Sequence, residues 1–185
     1  MTEFEHIAEH FLATVPAYIW DGQTLPVPIE DIADSHLGLL IRDVDNLSTA
    51  PGAPAVTDDQ SLSGLLLPDR GEIWVNAHEG RQWPGRRCFT IAHELGHWQL
   101  HRHTHSAVFC RTTSIEPNDD TERPALPVAE SDANAFAAAV LMPSALVRRC
   151  YAAYGDDFMR LCNTFGTSGA AMGRRLRAVI PPRGT

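Results

Sequence analysis

Nine consecutive residues, Thr90-Ile91-Ala92-His93-Glu94-Leu95-Gly96-His97-Trp98, constrain this chain more than any other stretch. They set H-E-x-x-H in an apolar, helix-forming context. Each helical residue advances about 100° around the axis, so residues four apart share a face. His93 and His97 are therefore predicted to point the same way, one turn apart, as two imidazole ligands for one zinc ion. Glu94 stands beside them, placed to take a proton from a zinc-bound water.

Two histidines do not complete a catalytic zinc site, which ordinarily takes three protein ligands and a water. His101 continues the stripe but lies about 12 Å along the axis from His93, too far to share one tetrahedral ion. His101, His103 and His105 are read as a solvated cluster, with His105 a minor candidate if the chain bends back after His101. The better third ligand is Glu130, which opens an alanine-rich helical stretch 33 residues after His97. Asp132 is its rival, and both carboxylates also suit the positive end of a helix with no metal at all. Asn134, one turn beyond Glu130, is placed to hydrogen-bond a ligand imidazole.

The 185 residues suffice for one compact domain, and 44% hydrophobic with 21% charged residues is ordinary for a soluble globular protein. No apolar run approaches the ~20 residues that span a bilayer. The acidic start Thr2-Glu3-Phe4-Glu5-His6 does not read as a secretory signal, so a cytoplasmic location is expected. Cys88, Cys110, Cys150 and Cys162 form no C-x-x-C pair and are read as buried free thiols. Residues 1–80 carry 14 carboxylates against two arginines, a net of −12, whereas residues 81–185 net +4 and the chain has no lysine. A net charge of −8 disfavours general nucleic-acid binding.

Along the chain, Glu3–Ala13 carries one apolar face at helical spacing and Ile29–His36 reads as a short helix stopped by Gly38. Residues 37–44 read as a strand. Leu62–Leu67 and Glu72–Asn76 read as a hairpin turned by Pro68-Asp69-Arg70-Gly71. The motif helix is predicted from Pro84 to about His101, and residues 104–127 as a long loop. Helices follow over 128–142, 144–154, 156–165 and 167–179, with Ser168 as an N-cap. Trp74, Trp83 and Trp98 are expected in the core. Asp58-Asp59 and Asp119-Asp120 are read as solvated, and His6, His10, His36 and His78 are given no ligand role. The expected fold is α+β: a helix, a small three-stranded sheet, the H-E-x-x-H helix and a C-terminal helical group. One domain spans residues 1–185, with its core over about 28–179.

Phe89-Thr90-Ile91-Ala92-His93-Glu94-Leu95-Gly96-His97-Trp98, followed by the run Glu130-Ser131-Asp132-Ala133-Asn134-Ala135-Phe136-Ala137 to Met142-Pro143, resembles the ImmA/IrrE metallopeptidase family. The Leu62-Ser63-Gly64 hairpin, Ile73-Trp74-Val75-Asn76, and Phe165-Gly166-Thr167-Ser168 with Ala171-Met172 and Arg175-Leu176 extend the likeness. Val140 stands where the family usually has leucine. The resemblance implies a zincin fold, zinc held by His93, His97 and Glu130, and Glu94 as general base. It also implies cleavage of a helix-turn-helix transcriptional repressor encoded nearby. Taken to stop after the peptidase region, the chain lacks the sensory domain of the IrrE members, which favours a phage, mobile-element or toxin–antitoxin setting over a radiation response.

Two other readings remain beside this one. Residues 161–176 have a helix-turn-helix rhythm, and Arg174, Arg175 and Arg177 would supply charge for DNA; the simpler account is a packing element with a solvated arginine face. Alternatively the chain keeps a zinc site but acts as a partner-binding regulatory protein with little peptidase activity. Oxyanion stabilisers under the peptidase reading are Tyr151, Tyr154, His101, His103 or C-terminal arginines, among which the sequence does not choose.

Overall fold

The structure is a computed structural model that describes residues 2–55, 60–102, 109–114, 127–155 and 157–181. His103, His105 and the two Asp-Asp pairs lie outside the described residues. Helix α1 (Glu3–Ala13) begins at Thr2, whose hydroxyl accepts from the Glu5 amide. Helix α2 (Ile29–Asp31) runs into a π turn over Ile32–His36, and Gly38 follows at φ +69°. Glycine takes that left-handed conformation without the Cβ clash other residues meet, so the helix stops where expected.

Strands β1 (Leu40–Val44), β2 (Gln60–Leu67) and β3 (Glu72–Asn76) are the three predicted ones, and Gly71 at φ +61° closes the β2–β3 turn. A fourth strand, β4 (Phe109–Ser114), lies within the segment read as loop. The sheet order is β1-β3-β2-β4, with β1 parallel to β3 and the other pairs antiparallel. A register shift falls between Leu62 and Gly64 where β2 meets β4. One inserted residue lets Leu62 and Leu65, three apart, face the same way. They join Leu47 and Ala50 in a small cluster, while Leu66 with Ile73 and Val75 of β3 joins the main core.

Helix α3 (Ala77–Gln82), which the sequence reading missed, follows β3 directly, and α4 (Pro84–Leu100) packs Ile91, Ala92 and Leu95 into the main core. After β4 come α5 (Val128–Leu141), α6 (Ser144–Tyr154), α7 (Phe158–Phe165) and α8 (Gly169–Val179), close to their predicted limits. Ser168 caps α8 as expected, accepting from the Ala171 amide. Arg87 fixes the first turn of α4: it bonds both Asp43 carboxylate oxygens at 3.1 Å and pairs with Glu30. Arg175 on α8 is buried, donates to the Met142 carbonyl at 2.8 Å and pairs with both oxygens of Glu5 on α1. That arginine belongs to the packing of α1, α5 and α8 and presents no charge to solvent. Trp83, expected in the core, is 47% exposed with Arg86 stacked on it, because it precedes the first turn of α4 rather than lying on its core face. Trp74 and Trp98 are half-buried. Cys150 and Cys162 are buried free thiols and Cys88 is half-buried, while the side chain of Cys110 lies outside the described residues. No described helix is long and apolar enough to cross a membrane.

Candidate metal centre

An amphipathic surface helix buries one stripe, but α4 is buried on every side from Thr90 to His97. It runs through the middle of the molecule, with β2 on one side and α5 crossing on the other. Both approaches depend on a missing Cβ. A Cβ on Gly96 would lie 2.9 Å from the Ala133 Cα and 3.0 Å from its carbonyl oxygen, so the α4 and α5 backbones meet there without side chains between them. A Cβ on Gly64 would lie 2.3 Å from Thr90 Cγ2 and 3.0 Å from Glu94 Oε1, so β2 presses its bare backbone against the face that carries Glu94.

The α4–α5 crossing brings the predicted residues together. His93 Nε2 and His97 Nε2 are 3.1 Å apart. Glu130 Oε2 is 3.2 Å from His93 Nε2, and Glu130 Oε1 is 3.1 Å from His97 Nε2. Ligand atoms at about 2.0–2.1 Å from a tetrahedral zinc stand about 3.3 Å from one another, so this triangle has the size of one face of such a site. Asp132, the rival ligand, does not belong to the cluster. Two residues past Glu130, it faces about 200° away around the helix. The donor set of two imidazoles and one carboxylate suits zinc and other divalent metals that accept nitrogen and oxygen.

His93, Glu94 and His97 are fully buried, whereas the Glu130 side chain keeps 25% of its exposure. Burial of the Glu130 carboxylate opposes its charge, but hydrogen bonding to His93 and His97 and their positive charge outweigh burial and hold its pKa down at about 2. The expected partner of the His93 ring is present: Nδ1 lies 3.1 Å from Asn134 Oδ1. With Nδ1–H donating to that oxygen, loss of the Nε2 proton to make room for a metal leaves the Nε2 lone pair facing the cluster.

The His101 ring lies 5.7 Å from that of His97, centroid to centroid, and does not enter the triangle, as its rise along the helix requires. Tyr151 and Tyr154 pack at the margin of the main core, with Arg160 over the Tyr154 ring at 4.2 Å. Gly64 and Gly96 were missed as determinants of the site. The signal available was a glycine inside a strand pattern and another inside a helix pattern, each marking a close backbone approach.

A family model of peptidases, described as the IrrE N-terminal-like domain, matches residues 48–177. No curated protein matches the chain. A solved structure of a Mycobacterium tuberculosis transcriptional regulator is similar in fold, with a TM-score of 0.54 at 18% identity. The match covers 99% of this chain and 49% of that one, so the chain spans about half the length of that regulator.

Proposed function

The chain belongs to the IrrE N-terminal-like family of peptidases, and from that premise we propose that it is a zinc-dependent endopeptidase whose substrate is a helix-turn-helix transcriptional repressor or antitoxin. The observation that carries the reading is the convergence of His93, His97 and Glu130 with a second carboxylate, Glu94, buried on the same helix. His93 and His97 would hold zinc through Nε2 and Glu130 through its carboxylate. Zinc supplies Lewis acidity, which polarises a scissile carbonyl and acidifies water. Glu94 accepts the proton of the attacking water and passes it to the leaving amine nitrogen. Asn134 keeps the His93 ring in the orientation and tautomer that ligation needs. Burial of the three α4 side chains keeps bulk water from competing for them.

A protein substrate is in keeping with the family, and a repressor substrate with the resemblance carried by the two motifs. The described part of the chain gives the DNA-binding reading little support, since Arg175 is committed to Glu5. The test is direct. Glu94→Gln keeps wild-type zinc content and loses cleavage of the repressor encoded beside this chain. Cleavage at the wild-type rate by that variant overturns the assignment. Zinc retention without any cleavage by the wild type favours the partner-binding reading.

A further inference from the structure

Gly64, Thr90 and Glu94 meet at one point on the β2 side of α4. A Cβ on Gly64 would collide with Thr90 Cγ2 and stand 3.0 Å from Glu94 Oε1 and 3.5 Å from Glu94 Cγ. The threonine methyl and the glutamate side chain thus flank the same bare stretch of backbone. Thr90 is 1% exposed and lies one turn before Glu94 on α4. The Cα–Cβ bonds of a helix tilt towards its N-terminus, so a side chain covers the position four before it. Glu94 therefore leans back over Thr90, with the methyl on its N-terminal side.

Two features make this methyl a fixed stop. Strand β2 lies inside the sheet, with Gly64 paired to Val75 of β3 on one side and to Arg111 of β4 on the other, so its backbone is held from both sides. Threonine branches at Cβ and is stiff at χ1. That branching makes it a poorer helix former than alanine, which would put no methyl within reach of β2. Glutamate, by contrast, is unbranched and flexible, whereas a reacting group must be held to within about 0.5 Å. We propose that Thr90 is a positioning residue for Glu94: its γ-methyl, pressed against Gly64, closes the space into which the Glu94 side chain would otherwise swing back along α4. The methyl does this and the hydroxyl does not. The inference rests on the reading of Glu94 as the base, and its test keeps the two apart.

Thr90→Ser deletes the methyl and keeps the hydroxyl, whereas Thr90→Val keeps a methyl against Gly64 and deletes the hydroxyl. In the full zinc-treated chain, Thr90→Ser is expected to lower kcat for repressor cleavage about tenfold with KM and zinc content unchanged, and Thr90→Val to stay within about twofold of wild type. Crystal structures of the two variants are expected to show the Glu94 carboxylate displaced by about 1 Å or more in Thr90→Ser and in place in Thr90→Val. A third arm needs neither metal nor substrate. The Cβ added by Gly64→Ala falls beside the methyl that Thr90→Ser deletes. The double variant Gly64→Ala/Thr90→Ser is therefore expected to melt about 3 °C or more above Gly64→Ala alone. The proposal is overturned by an unmoved Glu94 or a wild-type kcat in Thr90→Ser, by Thr90→Val matching Thr90→Ser in displacement or kcat, or by a double variant that melts no higher than Gly64→Ala. A wild type that cleaves nothing overturns the peptidase reading alone, and the displacement and melting arms then decide.

Discussion

Asn134 and His93 are joined by a 3.1 Å hydrogen bond between Oδ1 and Nδ1, so a residue one helical turn past Glu130 decides which nitrogen of the first histidine faces the cluster. Replacing Asn134 with Leu removes that acceptor while keeping the side chain's size. Metal affinity is expected to fall about 10- to 100-fold, the usual effect of losing a ligand's supporting bond. Competition with a chromogenic chelator measures it, and Asn134→Asp, which keeps an acceptor, is expected to hold most of the affinity.

Gly64→Ala brings a Cβ to 2.3 Å from Thr90 Cγ2 and 3.0 Å from Glu94 Oε1. Neither side chain has room to retreat, because Thr90 and Glu94 are buried. The expected cost is about 1–3 kcal/mol of stability, the range for overpacking. The displaced group is the proposed base and not a proposed ligand. Cleavage should therefore fall while zinc content stays near wild type, as read by activity and elemental analysis on the same sample.

Gly96→Ala separates the two effects the other way. In an unobstructed helix interior the change would stabilise by up to about 1 kcal/mol. Here the new Cβ meets backbone of Ala133 at 2.9 Å, which can yield only by moving α5 away from α4. Overpacking of about 1–3 kcal/mol outweighs the propensity gain. Because α5 carries Glu130 and Asn134, zinc affinity is expected to drop together with the melting temperature.

Acidification is expected to release the metal before Glu130 loses its charge. His93 and His97 must be neutral to act as ligands, so protons compete for them as pH falls. The Glu130 carboxylate, held at about 2, remains ionised throughout that release. In the metal-free protein its depressed pKa is a stabilising contribution, present above the ordinary carboxylate range and lost as pH falls towards about 2. Urea denaturation of wild type and Glu130→Gln should differ above that range and converge at its acid end.

The two motif helices were legible in the sequence because their signals are local. The four-residue spacing of His93 and His97, and the run from Glu130 to Met142, need only helical periodicity to be placed. What could not be read was whatever depends on a neighbour distant in sequence. Strand β4 has little apolar alternation of its own and exists by pairing with β2, so its residues read as loop. Helix α3 depends on Asn76, whose side chain accepts from the His78 and Glu79 amides, a capping signal hidden at the end of a strand. Trp83 was misplaced because an aromatic beside a helix start is apolar in composition but not on the helix's inward face. Glu130 and Asp132 were separable by the family resemblance, and by spacing only once the crossing point at Gly96 was known.

That crossing has a consequence in the terms of polymer physics. His97 and Glu130 are 33 residues apart, and the helices that carry them touch backbone to backbone at Gly96 and Ala133. A ligand set drawn from both helices is a reversible cross-link closing a loop of that length, and it restricts only the chain conformations in which α4 and α5 are apart. Cross-links of this span remove about 3–4 kcal/mol of unfolded-chain entropy when they are permanent. A metal held here would therefore act on the chain as a removable staple, and the melting temperature would report its concentration.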